Sequence, residues 1–378
     1  MMQKISIYLH FPFCLKKCNY CDFVSYPCLG DVADLSDYYI RELELYSEFV
    51  GRRLVSSIYF GGGTPSLLSP ETIEKIIEKI YSNFDVADDV EITLEVNPKT
   101  VNEAKLRGFF TAGVNRLSIG IQSFDDDELS FLGRVHSAGD AYNCLDMARK
   151  YFDNISCDFI YALPNQMFEK WCANLEKIKA LDVKHLSLYE LIIEPKTPLF
   201  NMVKSGKILP VNERLAGKMF EYTNKTLRHI FPQYEISNYG KVGFESRHNL
   251  NYWNGGDYLG IGVSASGRIC LDGKFFITEN PVSVDGWKKN IDLGALAVRP
   301  LSRKKRAEEL LIMGFRKNRG IDFAEFKQNS HCDFFDVVNE DKVNILVGQK
   351  YLLLSKRGIR TSVRGRSVLD AILREIVK

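Results

Sequence analysis

Tyr8-Leu9-His10-Phe11-Pro12-Phe13-Cys14-Leu15-Lys16-Lys17-Cys18-Asn19-Tyr20-Cys21 is the stretch on which the reading of this chain turns. Its first residues close an alternating run, Lys4–Leu9, that reads as a β-strand. The rest places three cysteines at C-x3-C-x2-C spacing on the loop that follows. Thiolates so spaced can close around one metal centre from a single loop, and an iron–sulfur cluster with four irons usually takes four cysteines. Three leave one iron open to an exogenous ligand, which a cluster doing chemistry needs. The alternatives are that His10 or Cys28 completes a closed zinc or cluster site, or that structural thiols cluster by chance.

Outward from that stretch, short β-rich runs alternate with helical ones to about residue 195. Strands are expected at Lys4–Leu9, Val55–Phe60, Glu91–Val96, Asn115–Ile121, Ile155–Tyr161 and His185–Leu191. Helices are expected between them at Ser69–Phe84, Thr100–Ala112 and Ala138–Tyr151, the first with Ser69 as cap and Pro70 in its first turn. Six βα units imply parallel strands with right-handed crossovers. Six are too few for an eightfold closure, so the expected α/β fold is an incomplete, open (β/α)6 barrel spanning residues 1–235. Residues 236–300 read as a Gly- and Asn-rich extension. Residues 301–378 read as a small winged-helix-like domain, opening on a basic helix at Ser302–Arg316 and carrying strands at Gln349–Leu354 and Ile359–Ser362.

Composition bounds the function. The 378 residues are 45% apolar and 26% charged with a net charge of +2, which is ordinary globular chemistry and makes no electrostatic case for nucleic acid or a membrane surface. Residues 350–378 carry eight Lys or Arg against two acids, read as a solvated basic face because no aromatic residues interleave it. No apolar run approaches the ~20 residues of a membrane span. Met1-Met2-Gln3-Lys4 leads into the first strand without an apolar leader, so the expectation is a cytoplasmic protein. Nine cysteines, an odd number, argue against a disulfide framework. The six outside the triplet read as buried thiols.

Polar groups sit at the other strand ends. Gly61-Gly62-Gly63-Thr64-Pro65 follows the second strand, and a glycine triplet lets backbone approach a ligand and offer N–H donors. Glu95, Gln122 and Asp158 end the third, fourth and fifth strands, and strand ends at one barrel mouth form a site by the general rule for such folds.

The triplet after Tyr8-Leu-His10-Phe-Pro12, followed by Gly-Gly-Gly-Thr-Pro, resembles the radical S-adenosylmethionine (SAM) superfamily, and within it the oxygen-independent coproporphyrinogen III oxidase group, along essentially the whole chain. The resemblance implies that Cys14, Cys18 and Cys21 hold a [4Fe–4S] cluster whose fourth iron chelates SAM. It also implies that Tyr8, Gly62, Gly63, Thr64, Glu95, Gln122, Arg134 and Asp158 occupy SAM-contacting positions. Three departures from the oxidases are visible. A further cysteine of that group is replaced by Phe23, only 13 residues precede Cys14, and the chain carries His248-Asn249-Leu250-Asn251-Tyr252-Trp253. That H-N-x-x-Y-W run is similar to the HemW-type proteins, regarded as haem chaperones. The implied function is to bind haem and pass it to an acceptor protein, membrane-associated acceptors included, with a homodimer as one form. The alternatives are the oxidase itself, and a tRNA-modifying enzyme supported only by the basic C-terminal unit.

On residue chemistry, His248 is a candidate haem ligand with Tyr252 and Trp253 packing on the macrocycle. An aromatic loop that merely docks onto the barrel is the competing account. Gly260-Ile261-Gly262-Val263-Ser264-Ala265 is expected to let that loop lie close over the barrel mouth.

Overall fold

The structure, a computed structural model, describes residues 3–28 and 35–378; Met1 and Met2, on which the reading of the leader partly rests, lie outside the described residues. The strands run in chain order. β1 is Lys4–Phe11, and β2 (Phe13–Cys14) pairs with β3 (Tyr26–Pro27) across the cysteine loop. The barrel continues with β4 (Leu54–Gly62), β5 (Asp85–Val96), β6 (Arg116–Gln122), β7 (Asn154–Tyr161) and β8 (His185–Glu190). Each of these five is parallel to the one before it in the sheet, β4 following β1, as six βα units require. The crossovers carry α1 (Ser36–Val50), α2 (Pro70–Asn83), α3 (Glu103–Thr111), α4 (Asp126–Leu132) with α5 (Ala138–Ala148), and α6 (Phe168–Lys179). In α2, Ser69 Oγ accepts from the Thr72 N–H and Pro70 occupies the first turn. Its Ile73, Ile76, Ile77 and Ile80 form one buried stripe at helical spacing, each contributing about 2 kcal/mol by burial.

Period-two alternation makes the barrel polar inside and apolar outside. Ile5, Ile7 and Leu9 of β1 face the helices. The intervening Ser6 and Tyr8 lie on the lumen face beside their register partners Ser57 and Tyr59 of β4, joined by the Ser57–Ser6 hydrogen bond of 2.8 Å and the Tyr8–Tyr59 ring stack. The stretch after residue 196 opens on α7 (Pro198–Lys204) and α8 (Glu213–Leu227).

Residues 236–300 do more than extend the chain. β9 (Asn238–Gly240) adds antiparallel to β8, α9 (Arg247–Trp253) follows, and β10 (Asp257–Gly262), β11 (Ser266–Leu271), β12 (Lys274–Glu279) and β13 (Val298–Leu301) continue the sheet beyond β1, with α10 (Val284–Asp292) before the last of them. The result is one eleven-stranded sheet, ordered β13-β12-β11-β10-β1-β4-β5-β6-β7-β8-β9. Two expectations are corrected here. Gly260–Gly262 belongs to a strand in parallel register with β1, Tyr8 opposite Gly260, and is no loop over the mouth. The glycine is required because a Cβ at 260 would sit 2.3 Å from the Ser266 carbonyl oxygen. The H-N-x-x-Y-W run is a helix, capped by Ser246 and with the N–H groups of Arg247 and His248 each 3.1 Å from the Glu91 carboxylate.

α11 (Arg303–Arg316) opens the C-terminal unit. There β14 (Ile321–Asp322), β16 (Gly358–Thr361) and β15 (Leu352–Leu354) form a small antiparallel sheet over a core that includes Leu311, Phe315, Phe334 and Ile372. No helix among the described residues is long and apolar enough to cross a membrane.

Candidate functional site

The C-terminal ends of β4–β8 and the cysteine loop that follows β1 surround a cavity of about 350 Å³. Cys14, Cys18 and Cys21 all line it. Cys14 is buried on β2, and the Cys21 N–H turns back 3.3 Å to the Cys18 carbonyl. Burial pushes the Cys14 and Cys21 thiols above the usual range, against the hydrogen bonds each receives. Arg134 donates 3.5 Å to Cys18 Sγ and 2.8 Å to the Gly120 carbonyl, while its Nε is buried without a partner. His10 does not complete the set, because Nε2 meets the Val24 carbonyl at 2.8 Å and Nδ1 meets the Tyr8 hydroxyl at 3.1 Å. Cys28 directly follows β3, its N–H 2.9 Å from the Cys14 carbonyl. Of the six remaining cysteines, only Cys144 and Cys157 are fully buried, which narrows the expectation for that group.

The glycine loop does not offer its amides to a ligand. Gly62 N donates to Glu95 Oε2 at 3.2 Å, Gly63 N to the Phe11 carbonyl at 2.7 Å, and Thr64 N to the Phe13 carbonyl at 2.8 Å. What the glycines supply is proximity: a Cβ at Gly63 would lie 2.4 Å from the Phe13 carbonyl oxygen. The loop is therefore laced to the strand that delivers Cys14.

Glu95, Gln122, Arg134 and Asp158 line the same cavity. Glu95 accepts from the Tyr59 hydroxyl at 2.9 Å, and burial, opposed by that hydrogen bond, pushes its carboxyl up to about 7. Asp158 accepts from Ser118 at 3.0 Å and Ser156 at 3.2 Å, and burial raises it too. Gln122 sits at φ +68 where the β6–β7 register slips, a conformation costing about 1–3 kcal/mol in a non-glycine residue and tolerated where it aims a side chain. Two half-buried carboxylates with only hydroxyl and amide donors around them lack a cation in contact. They suit a ligand that brings an ammonium group and ribose hydroxyls, while the three thiols and the Arg134 guanidinium suit a thiolate-held metal centre.

Four of the expected residues are not brought to the cavity. Tyr8 lies one layer down the lumen, ring-stacked with Tyr59. His248 is 1% exposed, with Nδ1 2.9 Å from Ser57 Oγ and Nε2 2.7 Å from the Tyr252 hydroxyl. Trp253 faces away from the mouth, its ring under the Arg316 guanidinium at 4.6 Å. In this conformation no lone pair of His248 is free for iron. Substituting His248→Ala is expected to leave the Tyr252 hydroxyl without its partner, while Ser57 keeps Ser6, and to cost about 1–3 kcal/mol in chemical unfolding.

The pH dependence of that cost has a definite sign. Burial holds the His248 imidazole down at about 3, below the ordinary 6.5. The unfolded chain therefore takes up a proton that the folded chain refuses between those values. The wild-type stability supplied at this position is full above about pH 6.5 and is lost at about 1.4 kcal/mol per unit as pH falls toward 3. His248→Gln, unable to titrate, should narrow its gap to wild type over that interval, as unfolding curves at pH 7 and 5 will read.

Sequence reasoning missed Tyr20, Ser118 and Tyr189, which also line the cavity, and Tyr59, which holds Glu95. The signal was available as polar residues at every second position of strands whose other positions are apolar.

Residues 8–184 match the Radical SAM superfamily and residues 301–368 match the HemN C-terminal domain. The chain is 38% identical over 383 residues to the mitochondrial Radical S-adenosyl methionine domain-containing protein 1 of Bos taurus, covering 98% of this chain and 87% of that one. It is 38% identical to Heme chaperone HemW of Haemophilus influenzae, over 98% of this chain and 97% of the relative. It is 36% identical to Heme chaperone HemW of Bacillus subtilis, over 98% of this chain and all of the relative. The fold is shared with Escherichia coli coproporphyrinogen III oxidase (HemN), at a TM-score of 0.80 and 22% identity over 99% of this chain and 90% of that one. With likeness running end to end, the chain belongs to the radical SAM superfamily and, within it, to the HemW family.

Proposed function

We propose that this protein is a cytoplasmic haem chaperone. It binds haem and passes it to an acceptor protein, membrane-bound acceptors among them, while holding a [4Fe–4S] cluster on Cys14, Cys18 and Cys21. SAM sits beside that cluster against Gly62, Gly63, Thr64, Glu95, Gln122, Arg134 and Asp158, and bound there the cluster supplies one-electron reducing chemistry at the sulfonium. The observation that carries the reading is full-length likeness, at 34–38% identity, to proteins named as haem chaperones. Phe23 supports it. At the position where the oxidase group has a further cysteine, this chain presents a phenyl ring 60% exposed on the cavity rim. Ile192 on the same rim is 65% exposed, and Lys16 and Lys17 stand beside them. An apolar edge with two cations suits a flat macrocycle bearing two carboxylates. Haem therefore docks across the mouth, and His248 reaches iron only if α9 withdraws from the barrel floor.

The test is a haem titration of anaerobically reconstituted protein, read by Soret absorbance, for wild type, Phe23→Asp and His248→Gln. Saturation near one haem per chain is expected, with at least ~10-fold weaker binding for Phe23→Asp and near wild-type binding for His248→Gln. Weak, unsaturable uptake by wild type sinks the chaperone reading, and protoporphyrinogen formed from coproporphyrinogen would move the protein to the oxidases. Loss of haem confined to His248→Gln would return the ligand to the barrel floor.

A further inference from the structure

Arg116 is a fully buried guanidinium for which the site described so far has no use. It projects into the lumen from β6, two residues before Ser118, and is 2% exposed. Its Nε has no hydrogen-bond partner, and its one side-chain hydrogen bond among the described residues is a long 3.5 Å approach of Nη1 to Thr93 Oγ1. Among the described residues no carboxylate stands within ion-pair distance of it. A guanidinium kept only for packing would be expected to spend its donors on neighbours, since burying them unpaired is costly.

Around it the lumen is layered. Toward the mouth stand Glu95 of β5, in register with Ser118 two residues along β6, and Asp158 of β7, which accepts from the Ser118 hydroxyl; the Arg116 charge favours the ionised form of both, and Tyr59 of β4 stands alongside. Toward the floor stand His185 of β8 and His248 of α9, with Tyr234 between β8 and β9 closing the side. Each imidazole is held neutral and hydrogen-bonded to hydroxyls, His185 to Ser156 and Tyr234 at 2.8 Å each, so neither competes for the charge. Arg134, the other guanidinium near the cavity, is committed to Cys18 and Gly120. Tyr189 of β8 also faces the two acids and adds no cation. Arg116 is thus the cation that the two acids share.

We propose that Arg116 is a positioning residue for the SAM site: the counter-cation beneath the cavity that favours joint ionisation of Glu95 and Asp158 on its wall, so that both can accept from the ammonium and ribose groups of the ligand. The inference rests on the SAM-binding reading of the cavity. Two carboxylates facing one cavity repel, and removing the cation beside them makes the weaker acid of the pair hold its proton to higher pH. Glu95, already at about 7, is the one poised to do so.

The experiment measures SAM dissociation constants by equilibrium dialysis on cluster-reconstituted protein from pH 6 to 9, for wild type, Arg116→Met and Arg116→Lys. Arg116→Met should bind about tenfold more weakly at pH 7 and recover toward wild type by pH 9, its midpoint moved up by about one unit. Arg116→Lys, which keeps the charge, should keep the wild-type midpoint. A loss in Arg116→Met that is equal at every pH marks a packing role and overturns the proposal, as does an unchanged profile. Should the methionine variant not fold, the lysine variant decides: a midpoint moved by a unit overturns the proposal, and an unmoved one supports it. Wild type that binds no SAM at any pH overturns the SAM site itself, a different result from variants that track a binding wild type.

Discussion

Cys18→Ala is expected to leave the protein without its cluster. Anaerobic reconstitution should give about four irons per chain in wild type and close to none in the variant, with SAM affinity falling about 100-fold or more. The size of the effect follows from where the ligands come from. All three thiols come from one short stretch between β1 and α1, Cys14 on β2 and the others on the loop after it, and losing one leaves two donors to hold a centre that needs three. Binding also has to draw the protons off Cys14 and Cys21, whose thiols burial has made weaker acids, so the cluster forms only when the full set shares that cost. Arg134, 3.5 Å from Cys18 Sγ, then faces no thiolate there. Cys28→Ala is the control. Full iron in that variant is expected, and its loss would identify a closed, four-cysteine site, which is incompatible with an iron open to SAM.

Gly63→Ala should damage the site nearly as badly without touching a ligand. The added Cβ would lie 2.4 Å from the Phe13 carbonyl oxygen and 2.8 Å from its carbon, and backbone one residue from Cys14 cannot swing away as a side chain could. The expected outcome is about 3 kcal/mol of lost stability in denaturant unfolding. SAM affinity should fall about 100-fold, because a shift near 1 Å between the glycine loop and the cysteine loop spoils a two-sided pocket. Gly217→Ala in α8, with nothing within 4 Å and ordinary helical φ, should be neutral or slightly stabilising. If Gly63→Ala matches that control in stability and SAM binding, the lacing of the two loops through Phe11 and Phe13 is not what builds the pocket.

How much of this could be read from the residues depended on whether the chemistry was local. β1 and β4–β8 fell where alternation placed them, because each strand is short, apolar at every second position and bounded by helix signals such as Ser69-Pro70. Convergence of the cysteines, Glu95, Gln122, Arg134 and Asp158 on one cavity is visible once the barrel closes their strand ends together. The same pattern could not give β10. Asp257–Gly262 is half glycine and aromatic, reads as loop by propensity, and is a strand only because β1 lies on one side and β11 crosses closely on the other. Nor could it show that the amides of Gly62, Gly63 and Thr64 are already spent, since their acceptors come from Glu95, Phe11 and Phe13. His248 failed for the same reason in reverse. Its hydrogen-bond partner Ser57 lies 191 residues away, so an imidazole that looked available in the sequence is committed in the fold.

The position of β10 also sets an order of events at the ribosome. β1, which leads into the cysteine loop, finds one neighbour in β4 within some fifty residues, but its other neighbour is not made until residue 262 has emerged. Through most of synthesis the first strand of the nascent chain is an open edge, with its N–H and C=O groups unpaired on one side. Iron delivered during that interval would meet a loop anchored on one flank only. Stable loading of the cysteine loop is therefore expected only after residue 262 has emerged, and truncations ending before β10 should accumulate as insoluble, iron-free chains.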